Sequence, residues 1–174
     1  MGNNTMKSKK SQQTSGERPS ATFSREDVSL RMLAPWEYGQ AADILSAAGL
    51  IADDLSGATV SMFGLYEGQK TVAVGGFERY GREALLRSMV VLPGLRNRGL
   101  GAVLLEKLES LLSAGGIDTL WLLTMTAEAF FQKHGYRRVE RSRAPAAIRR
   151  TTQFHSLCPA SAALMLKKRS PSDG

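Results

Sequence analysis

The sequence predicts an α+β fold in which a mixed sheet is layered between helices, α/β/α. Three observations carry that reading. Strand-like apolar runs are interspersed with segments of helical period. Two of the runs flank a tight turn at Glu67-Gly68-Gln69. A third, from Leu85 to Leu92, reads as largely buried, breaks at Pro93-Gly94 and leads into an amphipathic helix. In chain order, a strand is expected over 28–32. A helix is then entered at Pro35, with Ala41, Ile44, Leu45 and Ala48 on one face and Gly49 after it. Strands over 60–66 and 71–79 make a hairpin, and 84–92 continues the sheet. Leu100, Val103, Leu104, Leu108, Leu111 and Leu112 fall at helical spacing before Gly115-Gly116. A strand over 119–124, a helix over 127–134, a strand over 137–141 and a last strand near 162–168 complete the pattern.

The chain of 174 residues is 43% hydrophobic, enough for one domain with a sizeable core. Its net charge of +7 invites a nucleic-acid reading, but residues 1–25 carry five positive charges and one negative, and residues 167–174 carry three and one. Removing +4 and +2 leaves about +1 for the rest, so no nucleic-acid partner is expected. Residues 1–25, rich in Ser, Gln, Lys and Asn, read as a disordered basic arm, 26–168 as the folded domain and 169–174 as a disordered tail. No run is apolar and long enough for a secretory signal or a membrane span, so no membrane partner is expected and the cytoplasm is the default location. Cys158 is the sole cysteine and reads as a small buried side chain, which rules out an internal disulfide. His134 and His155 lack companions at ligand spacing, so no metal site is expected.

The stretch Leu95-Arg96-Asn97-Arg98-Gly99-Leu100-Gly101 is a candidate anion cradle, because it joins a strand to the start of a helix. Gly99 and Gly101 let backbone N–H groups approach a phosphate, the helix N-terminus adds partial positive charge, and Arg96 and Arg98 add full charges. Spacing separates the phosphate-binding families. A Walker A loop requires Lys-Ser/Thr where Leu100-Gly101 stands, and a dinucleotide fingerprint requires a third glycine in the Val103-Leu104 stretch.

What remains, Arg-x-x-Gly-x-Gly after a strand ending in Val-x-Pro, resembles the pyrophosphate-binding motif of the GCN5-related N-acetyltransferases, the GNAT family. The resemblance implies a mixed, mostly antiparallel sheet flanked by helices, with acetyl-CoA as cosubstrate. By that likeness Met89, Val90 and Val91 align the pantetheine arm and offer a backbone N–H to the thioester carbonyl, while Arg96, Asn97, Arg98, Gly99, Leu100 and Gly101 grip the pyrophosphate. Downstream, Ala127 to Tyr136 is similar to the family's helix and following strand entry. Thr124 stands at the place of a common asparagine, and Phe131 at that of the tyrosine that usually protonates the departing thiolate. The stretch from Leu50 to Thr59 is short for the family's second helix. A narrower likeness rests on Gly76 to Gly81, Ala84 to Ser88, Thr126 to Phe131, Ala144 to Arg149 and Ser156 to Ser161, which together resemble the acetyltransferases of arsenic-resistance operons.

Acetyl transfer to an amine needs a positioned thioester, a neutral amine and support for the developing oxyanion. Glu78 is the preferred general base, acting through water, with Glu83 behind it; each also reads as a solvated charge at a strand end. Phe131 lacks a hydroxyl, so Tyr80 or water serves as acid. Tyr136 reads as core. Arg79, Tyr80 and Arg87 are the substrate candidates, with Arg143 and Arg149 further arginines for an anion. Arg87 is the strongest, because a charge in an apolar strand needs a partner; a structural ion pair is the other reading of it. The leading function is acetyl capping of a small amine that carries a carboxylate or arsinate, with an amino-acid-like arsenical as one candidate. Acetylation of a protein lysine or N-terminus, and a noncatalytic acyl-CoA-binding module, are the alternatives. A homodimer is compatible with all three.

Overall fold

The computed structural model describes residues 27–55, 57 and 59–169. The basic arm expected at 1–25 lies outside them, as does the tail expected at 169–174 apart from Arg169. That residue is anchored, its backbone N–H donating to Asp118 O at 2.7 Å.

Seven strands make one sheet: β1 (Val28–Met32), β2 (Val60–Glu67), β3 (Lys70–Tyr80), β4 (Glu83–Val91), β5 (Thr119–Thr124), β6 (Arg137–Val139) and β7 (Ala163–Lys168). Their spatial order is β1-β2-β3-β4-β5-β7-β6, with β4 and β5 parallel and every other neighbouring pair antiparallel. The expected mixed, mostly antiparallel sheet is therefore present. Strands β4 and β5 are buried through most of their length, which is why they read as continuous apolar runs rather than as alternating ones.

Helix α1 (Tyr38–Ala47) follows a 3₁₀ turn at Pro35–Glu37, and its Ala41 and Leu45 pack on Met62, Val74 and Val90. Helix α2 (Leu100–Ala114) covers the opposite face, burying Leu104, Leu108 and Leu112 against Phe77, Leu86, Leu120 and Leu122. The buried stripe takes in Leu105 and leaves the expected Leu111 43% exposed, because Leu111 falls on the shoulder of the apolar arc. Helix α3 (Glu128–Lys133) lies within the expected helix. Strand β6 stops at Val139, two residues early, and the chain turns away in a 3₁₀ segment at Arg141–Arg143.

Two short elements were not expected from periodicity: α4 (Ala146–Arg149) and a π-helical turn at Gln153–Leu157. Ala144 and Ile148 pack on Leu85, Trp121 and Leu123, closing the sheet face beside α1. Both elements are too short to show an amphipathic repeat. Among the described residues, 50–59 contain no helix.

Candidate active site

Strand β4 accompanies β5 only over Glu83 to Leu86, opposite Thr119 to Leu122. Beyond that, the β3–β4 register shifts between Val74 and Gly76, and Ser88 adopts a left-handed φ of 57°. An extra residue of this kind bends its strand. From Arg87 onward β4 therefore parts from β5 and leaves a wedge between two strands that began as neighbours. A cavity of about 410 Å³ occupies this region, lined by Met89, Val90 and Val91 on one side and Leu122, Thr124 and Phe131 on the other.

At one end of the wedge lies the N-terminus of α2. The loop before it carries three left-handed residues, Gly94 (φ 80°), Asn97 (φ 62°) and Gly99 (φ 79°). The first N–H groups of a helix lack intrahelical acceptors, so this loop and Leu100-Gly101 present donors together with the positive end of the helix dipole. A side chain on Gly101 would lie 3.7 Å from both Val91 and Phe130, so glycine there keeps the cavity end open. Arg96 folds back with Nε 3.5 Å from Val91 O. The expected cradle residues thus lie at one end of the cavity, next to the strand expected to align the pantetheine arm.

At the other end is a buried charged cluster. Arg87 and Glu78 are each only 4% exposed. Arg87 Nη1 donates to Glu78 Oε1 at 2.6 Å and to Asp54 Oδ2 at 2.6 Å, while Nη2 donates to Asp54 Oδ1. Tyr80 donates its hydroxyl to the other Glu78 oxygen. With Tyr80 neutral, two carboxylates against one guanidinium leave a single net negative charge. Burial opposes the Arg87 charge, but the Asp54 and Glu78 carboxylates outweigh it and hold the guanidinium pKa above its ordinary value. Burial, then the hydrogen bond to Glu78, raise the Tyr80 pKa, so its phenol stays protonated. Arg87 lines the cavity and Glu78 and Tyr80 stand behind it.

The other candidates divide between the cavity and places away from it. Arg79 donates Nη2 to Gly115 O at 2.7 Å, at the C-terminus of α2. The helix has 15 residues, so this is about 22 Å from its N-terminus at 1.5 Å per residue. Arg79 is not brought to the cavity. Burial pushes the Glu83 carboxyl up. Thr124 lines the cavity and accepts the Ala127 N–H on Oγ1 at 3.0 Å, fixing the turn into α3. Phe131 is buried edge-on against Phe130 and Tyr136. Tyr136 is core, as expected, with its hydroxyl donated to the buried Glu109 at 2.8 Å.

Asp54, Gln153 and Cys158 were missed as site residues. Gln153 and Cys158 reach the cavity from the π-helical turn and the residue after it. Burial pushes the Cys158 thiol up, and it is half-buried rather than part of the core. A buried Gln153 Oε1 has no hydrogen-bond partner among the described residues. The segment around Cys158 was visible as a likeness, but its placement across the sheet depends on tertiary packing. Among the described residues, no group of three or more His, Cys, Asp and Glu side chains is placed to hold a metal, and no helix is long and apolar enough to cross a membrane.

Residues 58–138 match the family model of the acetyltransferase (GNAT) domain. A stretch of 65 residues is 39% identical to an uncharacterised N-acetyltransferase, CT2212, of Chlorobaculum tepidum, and covers 37% of this chain and 41% of that protein. The match thus spans less than half the length of that relative. Among solved structures, a GNAT-family acetyltransferase from Staphylococcus aureus superposes with a TM-score of 0.68 at 15% identity, covering 82% of this chain and 99% of that one. The N-acetylglutamate synthase of Neisseria gonorrhoeae, crystallised with coenzyme A and N-acetyl-glutamate, gives a TM-score of 0.68 at 16% identity, covering 82% of this chain and 35% of that one. The domain match runs over the hairpin, the wedge and α2, and the strand order and superpositions give this chain the fold of those acetyltransferases.

Proposed function

We propose that the protein is an acetyl-CoA-dependent N-acetyltransferase that caps the amino group of a small molecule. The observation that carries this reading is the cavity itself, which joins the donor-rich start of α2 to Arg87 along the splayed edge of β4. Leu50, Ile51 and Met125 are large hydrophobic side chains left exposed, and all three line it. Such apolar surface favours a ligand that covers it.

In this reading the loop from Arg96 to Gly101 holds the pyrophosphate, and the β4 backbone from Met89 to Val91 aligns the thioester. A backbone N–H there supports the oxyanion as the amine nitrogen bonds to the carbonyl carbon. The carbon–sulfur bond then breaks and the thiolate leaves. Glu78, through water, takes the proton of the amine. The thiolate takes a proton from water, because Phe131 has none to give and Tyr80 is committed to Glu78. The likeness to the arsenic-resistance acetyltransferases favours an amino-acid-like arsenical as acceptor, and the reaction takes place in the cytoplasm, where acetyl-CoA is at hand.

Labelled acetyl-CoA offered with a panel of amino acids, an amino-acid arsenical, polyamines and lysine peptides tests the reading. Acetylated small amines are expected. Labelled lysine peptides alone would establish protein acetylation instead, and coenzyme A binding without any product would leave an acyl-CoA-binding module. With the best acceptor, Glu78→Gln should lower kcat by about 10² and abolish the acidic limb of the pH–rate profile. Acetyl-CoA affinity should stay the same, and wild-type kinetics would remove Glu78 from the proton path.

A further inference from the structure

Arg87 presents a two-pronged anion site at the cavity, and Asp54 fills it. Both guanidinium Nη atoms donate to Asp54, one to each carboxylate oxygen. This is the paired geometry in which arginine takes up a carboxylate, a phosphinate or an arsinate. The two carboxylates on Arg87 are not equivalent. Glu78 belongs to strand β3, its side chain is 5% exposed, and its second oxygen is occupied by Tyr80. Asp54 comes from the turn segment between α1 and β2, and its side chain is 16% exposed. Of the two, Asp54 is the one an incoming anion would replace without disturbing the sheet.

We infer that Asp54 occupies the place of the acceptor's anion: an amine bearing an oxyanion displaces the Asp54 carboxylate from Arg87, whereas a neutral amine leaves the pair intact. The exchange rests on the acetyltransferase reading above and specifies its substrate class. It also removes an electrostatic difficulty. A buried guanidinium stripped of a partner is strongly unfavourable, and so is a carboxylate acceptor set beside a cluster that is already net negative. Replacing one anion by another at Arg87 avoids both. Asp54 moves toward solvent, Glu78 stays in place, and the count of charges around the guanidinium does not change. A neutral amine has nothing to offer Arg87, so its binding does not depend on displacing Asp54. With the acceptor's anion on Arg87, its amine lies on the side of Glu78 and the β4 edge.

The test uses the full chain with Asp54→Asn, and Asp54→Glu as the variant that keeps a carboxylate. Each accepted amino acid is paired with its own carboxamide, and KM is measured for both. Asp54→Asn should lower KM for the amino acid relative to the carboxamide by about tenfold, the value of one charge-assisted hydrogen bond. Asp54→Glu should keep the wild-type ratio. An unchanged ratio in Asp54→Asn, in a protein that still melts cooperatively, overturns the exchange and leaves Asp54 a fixed counter-ion. If Asp54→Asn does not fold, Arg87→Lys retains the charge without the paired geometry and should erase the discrimination; its persistence overturns the exchange equally. Calorimetry of L-glutamate against coenzyme A-loaded protein reads the same step without turnover. Tighter binding to Asp54→Asn with no acetylation of any amine would keep the exchange and reject the acetyltransferase reading. Equal or weaker binding rejects the exchange.

Discussion

Arg79 and Arg87 lie on adjacent strands of the same hairpin and have opposite fates. Arg79 reaches the last turn of α2 and donates to Gly115 O, where a cation also meets the negative end of the helix dipole. Arg79→Ala should therefore cost about 0.3–1 kcal/mol of stability, read by urea unfolding, and leave KM for the acceptor unchanged. A rise in KM without loss of stability would return Arg79 to the substrate. Arg87, by contrast, holds two carboxylates at once. Its need for a partner was legible in the sequence, because a guanidinium in the run Leu85-Leu86-Arg87 has to be neutralised. The identity of the partner was not. Asp54 is distant in sequence, in a stretch without periodicity, and nothing local marks it as the residue that packs over β4. Glu78 was singled out as a base, yet its two hydrogen bonds inside the hairpin follow only from the β3–β4 register.

The elements on the α2 side of the cavity were readable because their signals are local. Two apolar runs about a tight turn define the hairpin, and a leucine stripe defines α2. The glycines before α2 mark left-handed backbone that other residues resist. The bulge that opens the wedge was not readable, since Ser88 carries no sequence mark of a positive φ, and neither were the short turns that bring Gln153 and Cys158 across the sheet. The start of α2 supports a direct test of the cradle. A side chain at Gly99 meets nothing within 4 Å, so substitution there strains the backbone without crowding it. Asp and Asn tolerate the left-handed region better than other residues and both cap a helix well. Gly99→Asn and Gly99→Asp should accordingly fold alike, while only Asp sets a negative charge against the pyrophosphate. Titration calorimetry should find coenzyme A binding weakened by at least about tenfold more in Gly99→Asp than in Gly99→Asn, a difference of 1.4 kcal/mol. Equal affinities would take the phosphate away from this helix end.

At the scale of the whole molecule, the sheet is two halves held together by a short parallel seam. The seam is the four residue pairs between β4 and β5, and beyond it the two strands separate around the cavity. Leu45, Met62 and Val74 form a core behind β4, while Trp121, Ile148 and Leu164 form another behind β5, and the α2 face bridges both. A ligand lying in the wedge touches both halves at once, and unfolding of either would destroy its site. It must therefore bind the native state alone and stabilise the fold by mass action, by about 2.7 kcal/mol at one hundred times Kd. For a domain of this size each kcal/mol moves the midpoint by about 2–4 °C, so saturating coenzyme A should raise Tm by about 5–11 °C. Differential scanning calorimetry reads the shift, and the Gly99→Asp protein at the same coenzyme A concentration should lose most of it. A Tm that does not respond to coenzyme A in the unaltered protein would mean that the wedge is not where the cosubstrate lies, whatever the fold resembles.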